Sequence, residues 1–540
     1  MCSIEKENPM SDTKKQNFLQ GTALLAMSTA IVKVIGAVYK IPLNAIIGEQ
    51  GFGYFNTAYE IYSVLLMIST AGLPVAMSRM ISQASARGHY GQVRRIYTTA
   101  RAIFLGLGIT GTLLMTIFCR QLAQFQNQPD AWAAIGCLGP SMLLICVMSS
   151  FRGFFQGQSN MLPTSVSQVI EASVKLIVGM VAAIALLKMT QSIPLAAGGA
   201  ILGVTVSCLV SVLYLYNCFR KAYKILPVTD EDTTSFGQTA KMLLAIAVPI
   251  TIGSAGLQLL TMLETKVYMG QLLNIGYSQS EADTMRGIYS MTQTIFNMPC
   301  SFIYPITIPI IPAITAQLTL GQHKAAQATG ESAARVTGLV CMPCALGLAT
   351  LAEPVTALLG GYEGEKLVLA TQLMTILGIS IIFNAVVLLT NAMMQAHGHP
   401  TIPVINVFVG GLAKLAIIFL LTGNPAINIL GAPVGTVTCY LIITVLNLIS
   451  MGRVVEHPPA VIRNLIRPFI AAGVMGVCAR GVWWALKNVA AIDSRLILCA
   501  LPVMVGVVVY VVAAVALKVI TREDCLLLPK GEKIAKILHL

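Results

Sequence analysis

The sequence predicts an all-α polytopic membrane protein. It should hold about fourteen transmembrane helices: two six-helix bundles in pseudo-twofold repeat, plus two C-terminal helices. Three observations carry this expectation. The 540 residues are 56% hydrophobic and only 11% charged, with a mean hydropathy of +0.77, whereas soluble domains carry about 25% charged residues. Apolar stretches long enough to cross a bilayer recur along the chain. One spaced pattern occurs twice: Gln156, Pro163 and Lys175 in the first half, Gln395, Pro403 and Lys414 in the second, each glutamine nineteen residues before its lysine.

The elements follow in order. Residues 1–17 are polar with mixed charge and read as a cytoplasmic tail. The first apolar run is too long for a cleavable signal peptide, so none is expected. An N-terminal six-helix bundle over 18–218 holds spans near 18–42, 55–80, 97–119, 132–154, 165–187 and 196–218. A cytoplasmic linker over 219–241 is the longest hydrophilic connection and contains Asp230, Glu231 and Asp232. A C-terminal six-helix bundle over 242–450 holds spans near 242–264, 287–316, 334–352, 367–393, 402–422 and 428–450. Two additional helices, near 467–486 and 496–518, lie within 451–520 and have no repeat partner, and 521–540 forms a second cytoplasmic tail. Every span is expected to be helical, because lipid offers no partner to an open backbone group.

The repeat extends beyond the lysines. Gly203-Val204-Thr205-Val206-Ser207-Cys208 resembles Gly435-Thr436-Val437-Thr438-Cys439, and Leu138-Gly139 matches Leu377-Gly378. Repeats of six spans keep one orientation, which predicts a pseudo-axis along the membrane normal and a central cavity. Pro299, Pro305, Pro309 and Pro312 crowd into the eighth span and predict a bent or partly unwound helix there.

The net charge of +13 reads as a topology signal. Most Lys and Arg, including Lys14, Lys15, Arg87, Arg94, Arg95, Arg220, Lys221, Lys224, Arg463, Arg467, Lys530, Lys533 and Lys536, lie on the side that holds both termini. The positive-inside rule places that side in the cytoplasm, and the protein in the cell membrane as a multi-pass chain. These charges are spread over short loops, unlike the basic aromatic face of a nucleic-acid binder, so no nucleic-acid partner is expected.

Charges inside the spans are the candidate working residues, because each costs at least about 2.5–3.5 kcal/mol at the bilayer centre. The cationic set is Lys33, Lys175 and Lys414, with Lys40, Arg79 and Arg152 nearer the span ends. Lysines facing a water-filled cavity favour an anionic group such as phosphate. Glu171 and Lys175 are four residues apart and share one helix face, in the favourable order. Lys414 has Gly410 at the corresponding place and no such local partner. Gln156 and Gln395 complete the substrate-binding candidates, while Glu60, Glu171 and Glu264 are candidate proton or sodium sites.

No Walker A, G-x-S-x-G or H-E-x-x-H pattern occurs, so no enzyme activity or cofactor is expected. His397 and His399 share a short loop but make a poor metal site by themselves, and Cys341 and Cys344 form an isolated C-x-x-C within a span. The thirteen cysteines read as packing residues, and no metal is expected.

The run Arg152-Gly153-Phe154-Phe155-Gln156-Gly157, followed by Met161, Pro163-Thr164, Ser167-Gln168, Glu171 and Lys175, resembles the stage V sporulation protein B family. So do Lys33-Val34-Ile35-Gly36-Ala37-Val38-Tyr39-Lys40-Ile41-Pro42 and Ser69-Thr70-Ala71-Gly72-Leu73-Pro74 with Ser78-Arg79. These are polysaccharide-biosynthesis membrane proteins of the multidrug/oligosaccharidyl-lipid/polysaccharide exporter superfamily, related to lipid II flippases. The resemblance spans essentially the whole chain. It implies a flippase for undecaprenyl-pyrophosphate-linked sugars, with membrane lipid and the lipid-linked oligosaccharide as partners. It implies a pyrophosphate-binding role for Lys33. A second basic position of that family falls on Tyr39, with Lys40 one place later, and most relatives carry Arg where this chain has Lys175. The resemblance also implies that the last two spans border a groove for the lipid tail. The competing readings are a cation-coupled multidrug exporter of the same superfamily, a membrane-embedded glycosyltransferase and a non-transporting scaffold for cell-wall or spore-cortex synthesis.

Overall fold

The structure is a computed structural model and describes residues 18–158, 160–226, 235–307, 310–490 and 492–519. The side chains of 18–27, 29, 30, 33, 34, 37, 301–307 and 312 lie outside that description. The two predicted tails and the linker's acidic run at 230–232 fall beyond it, as does the side chain of Lys33.

The described residues form helices and no strand, in the order α1 (Phe18–Thr70), α2 (Leu73–Ala86), α3 (Tyr90–Ile117), α4 (Cys119–Phe125), α5 (Trp132–Gly157), α6 (Leu162–Thr190) and α7 (Ile193–Ile225). Then come α8 (Phe236–Asn274), α9 (Gln279–Thr307), α10 (Ile310–Thr319), α11 (His323–Thr350), α12 (Ala352–Gly360) and α13 (Gly364–Ala396). The last four are α14 (Thr401–Thr422), α15 (Gly431–Val454), α16 (Val461–Asn488) and α17 (Arg495–Ala516).

The predicted spans are helical over most of their described residues; the first break falls between two predicted spans and the second inside one. The first two spans run together in α1, which is interrupted at Gly48 (φ 70, ψ 177). That backbone conformation is open to glycine and strained for any side chain. The second predicted span divides at Ala71-Gly72, where Leu73 and Pro74 open α2, a position at which the missing proline N–H is harmless. The eighth predicted span is shared between α9 and α10, while Pro309 itself lies outside the described residues. Twelve stretches among the described residues are long and apolar enough to cross a membrane. The first of them runs from Val38 to Ala86 and takes in the second predicted span, and the more polar α9 is not among them.

Two helices start at capping boxes. Before α8, the Ser235 N–H donates to Gln238 and the Gln238 N–H donates back to Ser235 Oγ. Before α9, the Ser278 N–H and hydroxyl both donate to Glu281 Oε2, at 2.8 and 2.7 Å. Those two donors hold the Glu281 carboxyl below its usual range.

The chain forms two compact units: Met1–Tyr39 with Tyr54–Met262, and Lys40–Gly53 with Leu263–Leu540. The boundary falls inside α8, and a fourteen-residue stretch of α1 belongs to the second unit. In that unit Asn44 donates to the Gly360 carbonyl and Glu49 pairs with Lys366 at 3.0 Å.

The sequence repeat is also a packing repeat. In the first unit α3 packs on α5, α5 on α7 and α6 on α7, with α2 against α5. In the second, α11 packs on α13, α13 on α15 and α14 on α15, with α10 against α13. The matched glycines serve these contacts. A Cβ on Gly203 of α7 would meet the Gly179 Cα at 2.4 Å and the Lys175 carbonyl at 2.9 Å. One on Gly435 of α15 would meet the Ile418 side chain at 2.6 Å and the Lys414 carbonyl at 3.4 Å. In both units the glycine motif therefore seats against the turn that carries the lysine. In the second unit a buried polar network adds to this packing. Asn406 of α14 donates to Asn447 of α15, which donates to Thr390 and Asn391 of α13.

The two C-terminal helices join the second unit, α16 lying on α11 and α17 on α16.

Candidate functional site: paired charges within each unit

In the first unit, α5 is set by aromatic packing. Phe154 lies 5.5 Å from Tyr97 of α3 and 5.0 Å from Phe219 of α7, centroid to centroid. That leaves Arg152, two residues earlier, turned toward α6. Its Nη2 donates to Glu171 Oε2 at 3.0 Å and its Nε to Ser167 Oγ at 3.0 Å. Glu171 is thus held by Arg152 from a neighbouring helix, and the expected pairing with Lys175 on its own helix gives way to it. A guanidinium fork can engage the carboxylate and the hydroxyl together, which an ammonium cannot do with the same geometry.

Lys175 instead places its Nζ 5.9 Å from the centre of the Tyr39 ring, within cation–π range. Tyr39 is fully buried and donates its hydroxyl to the Ala200 carbonyl of α7 at 3.0 Å. It fits because Gly179 of α6 leaves the space. Tyr59 and Tyr62 of α1 and Cys208 of α7 lie close enough to feel the Glu171 charge. The cation position that the family resemblance shifted onto Tyr39 is therefore filled by an aromatic face that receives a lysine. Lys40 is half-buried and belongs to the other unit.

In the second unit Lys414 has a partner after all. Its Nζ lies 2.5 Å from Glu264 Oε2, and the two side chains are 18% and 5% exposed. Tyr289 of α9 donates its hydroxyl to Glu264 Oε1 at 3.4 Å. Glu264 is a buried residue of α8, and only the fold brings it to Lys414. Beside it, the fully buried Arg286 donates to Thr265 at 3.0 Å and to the Tyr268 hydroxyl.

Other candidates fall elsewhere. Arg79 is exposed on α2, Gln395 is exposed in the last turn of α13, and Gln156 is half-buried in the last turn of α5. Glu60 is half-buried on α1. Sequence reasoning missed Tyr289 and Arg286: a tyrosine in a predicted span looks like packing, and Arg286 falls between the spans expected near 242–264 and 287–316. His397 lines a cavity of about 300 Å³ with His323, His457 and Glu456. Among the described residues no three such side chains are placed to hold a metal ion. Cys341 and Cys344 are free thiols.

Spanning helices in a repeated packing, with charges clasped inside them, define a polytopic membrane protein with the fold of the multidrug/oligosaccharidyl-lipid/polysaccharide superfamily. The family described as polysaccharide biosynthesis protein matches residues 18–317, and the chain belongs to it. It is similar to the stage V sporulation protein B of Bacillus subtilis (strain 168), with 26% identity over 445 residues, 82% of this chain and 84% of that protein. It is also similar to the lipid II flippase MurJ of the same organism, at 22% over 493 residues, 87% and 89% of the two chains. A solved lipid II flippase MurJ in an inward closed conformation shares the fold with a TM-score of 0.68 at 12% identity, covering 91% of this chain and 98% of that one.

Proposed function

We propose that this protein moves an undecaprenyl-pyrophosphate-linked saccharide, lipid II or a related wall or polysaccharide precursor, across the cell membrane by alternating access. The observation that carries this reading is the duplicated lysine. Lys175 and Lys414 occupy equivalent turns of α6 and α14, each backed by the matched glycine of the next helix. Ammonium groups kept inside apolar helices at a cost are matched to an anionic headgroup, and duplication supplies one from each bundle. Similarity to a lipid II flippase and to a sporulation protein supports the substrate class. In this reading Lys33 joins the two lysines, the polyprenyl chain stays in lipid, and both termini are cytoplasmic. The bundles at 18–218 and 242–450 rock about the linker at 219–241.

The rival reading, a cation-coupled drug exporter, needs a carboxylate available to an organic cation. Glu171 and Glu264 already hold Arg152 and Lys414, which weighs against it. The test is flipping of fluorescent lipid II in proteoliposomes. Wild type is expected to flip it, and the Lys175→Gln/Lys414→Gln double variant to insert and fold but lose flipping at least about tenfold, the loss of roughly 1.4 kcal/mol of headgroup interaction. Normal flipping by the double variant sinks this site.

A further inference from the structure

α16 turns one stripe of side chains outward. Ile466, Ile470, Val474 and Val477 stand on it at helical spacing, all exposed. The same stripe then carries Arg480 and Trp484, exposed as well. α16 has 28 residues, about 42 Å of helix against about 30 Å of hydrocarbon. Trp484 and Lys487 lie in its last two turns, where ordinary interface anchors belong. Arg480 lies deeper, about 12 Å before the helix ends at Asn488, on a face that otherwise meets lipid.

The guanidinium is held in place there. Its carbon stands 4.0 Å from the centre of the Trp483 ring. Its Nη1 donates to the Thr350 carbonyl at 3.1 Å, where α11 ends and intrahelical donors run out. Trp483 is buried, and the Lys487 ammonium approaches the same ring at 4.9 Å. Glu353 and Glu363 are taken by other cations, the first by Lys487 at 2.5 Å and the second by Arg495. Among the described residues no carboxylate pairs with Arg480. A guanidinium has five N–H groups, and Thr350 takes one of them. Arg480, Lys487 and Glu353 together leave one positive charge at the edge of the hydrocarbon, where a charge without a partner is costly.

We propose that Arg480 and Trp484 form a seat for the headgroup of one anionic glycerophospholipid, its phosphodiester on the guanidinium and an acyl chain along Val477 and Val474. A phosphodiester offers two oxygens at the spacing that a guanidinium fork takes, and Arg suits this better than a point charge. Its single negative charge cancels the local excess. Trp484 stands at headgroup level, and the valines below it receive the first methylenes of the chain. A zwitterionic headgroup brings a cation of its own and leaves the excess in place. The seat is independent of what the protein transports.

The test is quenching of tryptophan fluorescence by brominated lipids, with the full chain in vesicles of phosphatidylcholine and phosphatidylglycerol. Trp483 and Trp484 are two of the chain's three tryptophans, and Trp132 adds the same background to every variant. Wild type is expected to select brominated phosphatidylglycerol over brominated phosphatidylcholine by about fivefold, the gain from one basic residue's attraction at a membrane surface. Arg480→Gln should bring the selection close to none. Arg480→Lys should keep part of it, because the charge remains and the fork is lost. Equal quenching by the two lipids in wild type overturns the proposal, and so does selection that survives intact in Arg480→Gln. Should Arg480→Gln not fold, wild type at about 0.5 M salt decides: a direct contact keeps its selection, whereas selection that vanishes came from diffuse charge and overturns the seat. Undecaprenyl phosphate is the rival occupant. Unlabelled, at equal mole fraction, it should relieve the quenching no better than unlabelled phosphatidylglycerol does. Clearly better relief would give the seat to that lipid, and the proposal would fall.

Discussion

Lys414 and Glu264 are the residue pair on which most depends. In low-dielectric surroundings an ion pair gains little over an apolar pair of the same shape, but removing one member strands a buried charge. Lys414→Ala or Glu264→Ala alone should therefore destabilise the protein by about 3–5 kcal/mol, and the double variant by clearly less than their sum. The half-exposed pair Lys487–Glu353, also at 2.5 Å, should show at most about 1 kcal/mol in the same cycle. Thermal unfolding in a fixed detergent measures both cycles, and equal coupling in the two would contradict this assignment. The pair also marks the limit of sequence reading. Lys175 and Lys414 were legible because their spacing repeats and their burial is costly. Their partners were not, because an i, i+4 rule sees only one helix. Arg152 reaches Glu171 from α5, and Glu264 reaches Lys414 across 150 positions of chain.

At the level of helices, long apolar runs marked where most of the helices lie, and a break inside such a run went unseen. The break at Gly48 was legible, in the stretch with Glu49 and Gln50 between the spans near 18–42 and 55–80, while the one at Ala71-Gly72 lies inside an apolar run and was not. The Ser-x-x-Gln and Ser-x-x-Glu boxes before α8 and α9 fix those two starts more closely than hydropathy can. The matched glycines lead to a graded prediction. Gly203 meets backbone, the Gly179 Cα and the Lys175 carbonyl, so Gly203→Ala must part α6 from α7 and should cost about 1–3 kcal/mol. At Gly435 the near contact is the buried Ile418 side chain and the Lys414 carbonyl is farther off, at 3.4 Å, so Gly435→Ala should cost less than Gly203→Ala. Unfolding temperatures of the two variants decide it. If Gly435→Ala proves the more damaging, the backbone-contact argument is wrong.

For the whole molecule, the question is what the unrepeated pair α16 and α17 adds. Lipid tails are as apolar as these helices, so close packing and polar contacts must hold them in place. Both are present. A Cβ on Gly338 of α11 would meet Leu465 at 2.7 Å and one on Gly476 would meet Thr350 at 3.1 Å, so the backbones run close. The Tyr510 hydroxyl donates to the Leu339 carbonyl at 2.8 Å and Arg480 donates to the Thr350 carbonyl at 3.1 Å. The outward faces are bare, with Val477, Val508 and Val512 exposed, as lipid contact requires. A chain ending after Arg453 keeps the hydropathy of every earlier span, so it should still insert. It loses the packing over α11, so it should unfold at a lower temperature than the full chain. If the two helices also border the path of the polyprenyl tail, the shortened chain should bind inorganic pyrophosphate as the full chain does and yet fail to flip lipid II. A shortened chain with unchanged unfolding temperature and full flipping would show that the repeat alone is the transporter, and that the last two helices serve another purpose.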